Sequence, residues 1–355
     1  PHRDTTGRIA VVHNGIIENY QELRKELTAA GAAFVSQTDT EVIPHLIRHV
    51  MATRGVSLFE ASRLALQRAR GAYAVGVLSA DEPDQIIAAR LGSPLIIGVG
   101  EGENYIASDV LAIVNRIRRV IYLDEGEIAC LRADGITVMK LDGTPVVPVI
   151  RDVTIQAEAA EKAGFETFML KEIHEQPRVL RNLLNRHVTD DRLTLQLPGM
   201  DAAALRAINR IMIVSCGTAC HAGMYGKLLI EHLSGIPVEV DLASEFRYRD
   251  PKLLPGTLIL PVSQSGETAD TLASVRMARQ RGCRCLAICN VPGSSLVRES
   301  DAVLYTEAGP EIGVASTKAY TAQQMAFALL AIAIARARGD LDAAGEAELI
   351  RDLRE

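Results

Sequence analysis

Three stretches in the second half of the chain combine hydroxyl side chains, glycine and a helix start. Ser263-Gln264-Ser265-Gly266-Glu267-Thr268 follows the apolar run Thr257 to Val262 and precedes a helical pattern from Ala269 to Arg281. Such a junction suits an anion, because unpaired N–H groups and the positive end of the helix dipole meet it while hydroxyls add hydrogen bonds. A phosphate ester fits this chemistry. The spacing is neither G-x-x-x-x-G-K-[ST] nor G-x-G-x-x-G, which disfavours a nucleotide. By itself the segment reads equally well as a polar loop with a Ser or Thr helix cap. Two further segments occupy corresponding places: Cys216-Gly217-Thr218 after the run Ile211 to Ser215, and Gly313-Val314-Ala315-Ser316-Thr317-Lys318 at the start of a long helix. The three loops could converge on one ligand. Taken singly, Cys216 reads as a small buried residue before a nucleophile, and Lys318 as a solvated helix residue before a phosphate contact.

The first half carries a second group of candidates. Asn14-Gly15 after an apolar run is first a hairpin signal, yet a capped helix follows it rather than a second strand. A side-chain amide beside a backbone N–H can also form an oxyanion hole. Asp39 could cap a helix from Thr40 or bind a ligand ammonium. His45 and His49 stand one helical turn apart, but no third ligand is in view and no metal site is expected. The six cysteines, Cys130, Cys216, Cys220, Cys283, Cys285 and Cys289, contain no C-x-x-C. Cys283, Cys285 and Cys289 share one parity along an apolar run and read as one face of a strand.

These residues need two kinds of scaffold. In residues 1–150 a helix is expected from Tyr20 to Ala30, with Asn19 as cap and Gly31 as stop. A second should run from Thr40 to Met51, and a third after Ser57. Strands then follow one another at Tyr73 to Leu78, Gln85 to Arg90, Leu95 to Val99, Val120 to Leu123, Glu127 to Leu131 and Ile136 to Lys140, with Asp134-Gly135 as a hairpin turn. That pattern predicts packed antiparallel sheets with helices outside. Residues 151–185 read as a linker, Ala- and Glu-rich over 155–164, and a helix containing Pro177. Over residues 186–345 strand and helix alternate, which predicts a doubly wound parallel sheet with ligands at the carboxyl ends of its strands.

Composition removes several function classes. The 355 residues are 48% hydrophobic and 23% charged, enough for a sizeable core, and the net charge of −6 has no basic run for nucleic acid. With neither an apolar run of membrane-spanning length nor a signal-type start, a cytoplasmic setting is expected, with no membrane partner.

The strings SQSGETADTL, ASEFRYR, AICNVPGSSLVRES and EIGVASTKA resemble the first sugar isomerase (SIS) domain of the glutamine:fructose-6-phosphate amidotransferases. The segment Lys171 to Pro177 resembles the piece that joins that family's two halves. Val11 to Asn19 and Thr38-Asp39-Thr40-Glu41 resemble its class II glutamine amidotransferase domain. The resemblance implies a partial Ntn-hydrolase-type αββα sandwich followed by the SIS domain. It further implies that Asn14 and Gly15 form the oxyanion hole and that Asp39 holds the α-amino group of glutamine. Fructose 6-phosphate would lie against Cys216, Gly217, Thr218, Ser263, Gln264, Ser265 and Thr268, with Val314, Ala315 and Ser316 closing the site. Ala219 departs from the family, where a serine often contacts the sugar. Glutamine and fructose 6-phosphate are the implied substrates, a homodimer through SIS domains the implied assembly, and no cofactor is implied. The family's nucleophile is an N-terminal cysteine, so a start at Pro1 and an end at Glu355 are expected to mark a central piece, inactive by itself. A sugar-phosphate sensor built on one SIS domain is the alternative, against which the glutaminase-like half argues.

Overall fold

A computed structural model of the chain describes residues 1–153 and 162–355, so most of the expected linker over 155–164 lies outside the described residues. The chain divides into two compact units, Pro1–Ala157 and Glu158–Glu355.

The first unit stacks two antiparallel sheets. The larger has seven strands in the order His2–Arg3, Ile9–Ile17, Gly71–Ser79, Gln85–Leu91, Glu127–Arg132, Gly135–Lys140 and Pro145–Val146. The smaller has four, Ile150–Asp152, Arg119–Tyr122, Ile96–Val99 and Asn104–Ala107. Strand period explains the layering, since alternate residues face opposite sides. Tyr73, Val75 and Val77 pack with Ile87 and Ala89 under the helices Tyr20–Ala29, Val42–Arg54 and Leu58–Leu66. Ala74 and Ala88 face the other way, and with Ala129, Ile97 and Ile121 they fill the space between the sheets. Small residues on that face let the two sheets approach closely.

Three local expectations are corrected here. Asn14 and Gly15 form neither a turn nor a loop: the strand runs through to Ile17, paired with Gly71–Ser79 along its whole length. Gly15 is needed because its φ is +137° and a Cβ would lie 2.0 Å from the Ala72 carbonyl oxygen. The hairpin turn sits one residue earlier than expected, since Gly135 already pairs with Arg132 and leaves Ala133 and Asp134 in the turn. The helix expected from Thr40 begins as a 3-10 turn over Asp39–Glu41 and becomes α-helical at Val42. Pro44 lies in the first α-helical turn, where a missing N–H has no helical partner to lose.

The second unit is the expected parallel sheet, with five strands in the order Val238–Leu242, Arg210–Ser215, Thr257–Ser263, Arg284–Cys289 and Ala302–Tyr305. One face carries Thr218–Ser234 and Lys318–Arg338, together with Val179, Leu183 and Leu184 of the helix Phe168–His187. The other carries Phe246, Leu272, Val275 and Leu296, from the helices Ala243–Arg249, Ala269–Gln280 and Ser295–Glu299. Cys285 and Cys289 are buried on that second face as their parity predicts, and burial pushes the Cys285 thiol up to about 12. The strand order reverses between Arg210–Ser215 and Thr257–Ser263, where successive connections leave in opposite directions. The carboxyl ends of these two strands border a crevice, the usual ligand position in such sheets.

Candidate functional site

The crevice is lined by loops after those two strands and by the segment before Lys318–Arg338. Cys216, Thr218, Ser263, Gln264, Ser265, Thr268, Val314 and Ser316 surround one cavity of about 190 Å³. Gly217 and Ala315 belong to the same loops but do not line it. Gly217 instead takes φ +58° to turn the chain into the helix Thr218–Ser234. Val262, Ala219, Glu311, Gly313 and Gln323 complete the wall.

The loop from Ser263 to Thr268 holds its shape with its own hydroxyls. Ser263 Oγ accepts from the Gly266 N–H at 2.9 Å and lies 3.2 Å from Thr268 Oγ1, while Ser265 Oγ accepts from the Glu267 N–H at 3.2 Å. Accepting an N–H leaves the Ser265 hydroxyl hydrogen to donate elsewhere. Thr268 is at the N-cap position of Ala269–Gln280 yet makes no side-chain cap bond, so this helix start keeps unpaired N–H groups. The start of Thr218–Ser234 likewise has no side-chain cap. Two helix dipoles therefore present their positive ends uncapped by side chains beside the cavity.

The third helix start is different. The Glu311 carboxylate accepts from Ser316 Oγ at 2.8 Å and from the N–H groups of Thr317 at 2.9 Å and Ala319 at 3.1 Å. The N-terminus of Lys318–Arg338 is thus occupied by a protein carboxylate, and its loop serves as a wall. That wall is anchored from the helix Phe168–His187. Glu172 accepts from the N–H groups of Ile312 at 2.6 Å and Gly313 at 3.1 Å, and Glu175 pairs with Lys318 Nζ at 2.5 Å. The solvated reading of Lys318 is therefore corrected: the side chain is buried and ion-paired. Neither Glu172 nor Glu311 was visible as a site residue in the sequence, because each acts on backbone N–H groups whose position the fold alone decides. Cys216 is half-buried, and burial raises its thiol pKa with Asp270 adding to the effect, which suits a wall residue rather than a nucleophile.

In the first unit, Asn14 and Gly15 are exposed near the end of their strand. Asp39 is brought to the same place, because its Oδ2 accepts from the Ile17 N–H at 2.7 Å. It does not cap the following helix, which corrects the capping alternative. His13 Nδ1 lies 2.9 Å from Thr40 Oγ1, tying the strand and the 3-10 turn together a second time. Burial lowers the His13 pKa against the opposing pull of Asp39. Asn19 does not cap the first helix either, since its amide bonds the Arg68 carbonyl and the Arg70 N–H and pins the strand's exit. His45 is buried against the Phe34 ring and lies 3.7 Å from Glu41. Among the described residues no group of three His, Cys, Asp or Glu is placed to hold a metal, and no helix is long and apolar enough to cross a membrane.

Comparison with known proteins aligns with this division. A glutamine amidotransferase domain family covers residues 1–115, and a SIS domain family covers residues 204–333. The chain is 52% identical over 355 residues to a protein named glutamine–fructose-6-phosphate aminotransferase (isomerizing) from Symbiobacterium thermophilum, covering 99% of this chain and 58% of that one. A protein of the same name from a strain of Thermus thermophilus is 49% identical, with 100% of this chain and 58% of the relative covered. Among solved structures, the C-terminal domain of glucosamine-fructose-6-phosphate aminotransferase from Francisella tularensis aligns with a TM-score of 0.53 at 42% identity, over 55% of each chain. The chain therefore spans a little over half the length of the curated relatives it matches.

Proposed function

We propose, from the likeness to glutamine–fructose-6-phosphate aminotransferases, that the chain belongs to that family and takes part in glutamine-dependent conversion of fructose 6-phosphate to glucosamine 6-phosphate. The observation that carries this reading is the convergence of hydroxyl-bearing loops on one cavity at the point where the sheet order reverses. A phosphate there would meet the starts of Thr218–Ser234 and Ala269–Gln280 and the hydroxyls of Thr218, Ser263, Ser265 and Thr268. Gln264 and the wall from Val314 to Ser316 would enclose the sugar. Cys216, Gly217 and Ala315 would shape the loops.

In the first unit, Asn14 and the Gly15 N–H would stabilise the oxyanion formed when the glutamine amide carbon is attacked. Asp39 would hold the substrate's α-ammonium with the oxygen that Ile17 does not occupy. Ammonia released from the amide then condenses with the sugar's carbonyl carbon, the carbonyl oxygen leaving as water, and isomerisation moves a proton between adjacent carbons. The residues assigned here bind and polarise, and none is assigned as nucleophile. The same reading carries a homodimer through the SIS units and a cytoplasmic setting.

Calorimetric titration with fructose 6-phosphate and glucosamine 6-phosphate tests the cavity. Binding of either, weakened about tenfold or more by Ser265→Ala, is the expected result. A folded protein that binds neither would overturn the assignment.

A further inference from the structure

Gln323 lies in the helix Lys318–Arg338, just before its continuously buried apolar stretch Ala326 to Ala335. It is only 2% exposed. Its amide oxygen has no hydrogen-bond partner within the protein, and the residue is part of the cavity wall. An amide carried into a core is costly unless something pairs with it. Phe327, one turn further along the same helix face, packs so tightly on Gly226 that a Cβ there would lie 2.1 Å from the ring. This contact fixes the helix against Thr218–Ser234 and holds Gln323 one turn closer to the end where Thr218 and Ala219 line the cavity. The adjoining wall is apolar, since Ala219 and Val262 offer no side-chain donor or acceptor. A sugar hydroxyl turned toward Ala219 or Val262 would gain no side-chain partner from either, whereas the Gln323 amide in the same lining could pair with it.

We propose that Gln323 is a sugar-contacting residue whose amide pairs with a hydroxyl or carbonyl of the bound ketose phosphate and sets preference for the sugar part of the ligand. This rests on the reading of the cavity as a sugar-phosphate site. Under this proposal the helix starts and hydroxyls hold the phosphate, and the Gln323 amide pairs with the sugar rather than with the phosphate. Either amide orientation leaves one hydrogen-bonding group toward the ligand, so the proposal does not depend on which atom is oxygen.

The test is calorimetric titration of the full chain and of Gln323→Leu and Gln323→Met, each with fructose 6-phosphate and with inorganic phosphate. Fructose 6-phosphate affinity should fall about tenfold or more in both variants, because a hydroxyl is left unpaired, while phosphate affinity changes less than about twofold. Two outcomes overturn the proposal: fructose 6-phosphate binding as tight as in the unmodified chain, or an equal loss for both ligands, which would make Gln323 a structural residue. Thermal unfolding of each variant identifies a folding defect, and the methionine, closest in shape, then decides. If the unmodified chain binds neither ligand, the cavity assignment itself fails and this inference falls with it.

Discussion

Replacing Gly266 by alanine should damage the SIS unit and its cavity together. Gly266 has φ +67°, a conformation that costs an L-residue about 1 kcal/mol. The added Cβ would also lie 2.6 Å from Ser294 Cβ and 2.9 Å from Cys289 Sγ, both in buried residues. Rotating the Ser294 hydroxyl away relieves only part of this clash. The backbone cannot yield freely, because the Gly266 N–H donates to Ser263 Oγ and its carbonyl accepts from the Leu296 N–H, both at 2.9 Å. Overpacking of this kind adds about 2 kcal/mol, for a total near 3 kcal/mol. For a unit of this size, each kcal/mol lowers Tm by about 2–4 °C, so the second-unit transition should fall by about 6–12 °C. Scanning calorimetry reads that transition, and titration with fructose 6-phosphate below it should show affinity reduced by at least about tenfold. A Tm within about 1 °C of the unmodified chain, with unchanged affinity, would show that the loop is not held as described.

Glu172→Ala should leave the N–H groups of Ile312 and Gly313 without their acceptor, costing about 2–3 kcal/mol and loosening the Val314 wall; amide exchange over residues 309–318 should rise, whereas Glu172→Gln should retain most of the protection. Gly15→Ala in the first unit should force the strand Ile9–Ile17 away from Gly71–Ser79 and lower the first-unit Tm, with no change in sugar-phosphate titration. The first unit should also weaken in mild acid. His13 and His45 both have pKa values lowered from 6.5, chiefly by burial, so the unfolded chain binds protons that the folded one refuses. That stability is complete above the unfolded value and is lost as pH falls below it, so Tm should drop between about pH 7 and about 5.5, and the combined His13→Asn and His45→Asn variant should show a flatter profile.

Several sequence readings were legible because they rest on local patterns. Of the strands from Gly71–Ser79 to Gly135–Lys140, all but Asn104–Ala107, which was not expected, fall within one or two residues of their expected limits, since alternation and flanking turn residues define them. Ser57 caps Leu58–Leu66 as read, its Oγ accepting from the Glu60 N–H. Asn19 misled, because the same amide that suits a cap suits a clip between distant segments, and only the proximity of Arg68 and Arg70 selects the second. Asn14-Gly15 misled for a related reason: a glycine with positive φ serves a tight turn or a close approach equally, and here Ala72 on the neighbouring strand decides.

By itself the sequence determined the order of the two units, the parallel alternation of the second, and the three loops with hydroxyls at helix starts, all properties of short windows. Tertiary structure alone decided which side chains complete the cavity. Glu311 takes the helix start that was otherwise open to a ligand, Glu172 and Glu175 reach the same wall from a helix well over a hundred residues earlier, and Gln323 is buried in the cavity lining on the helix whose Phe327 packs on Gly226. Each depends on partners brought together by the closing of the sheet and its helices, and no local pattern records that meeting.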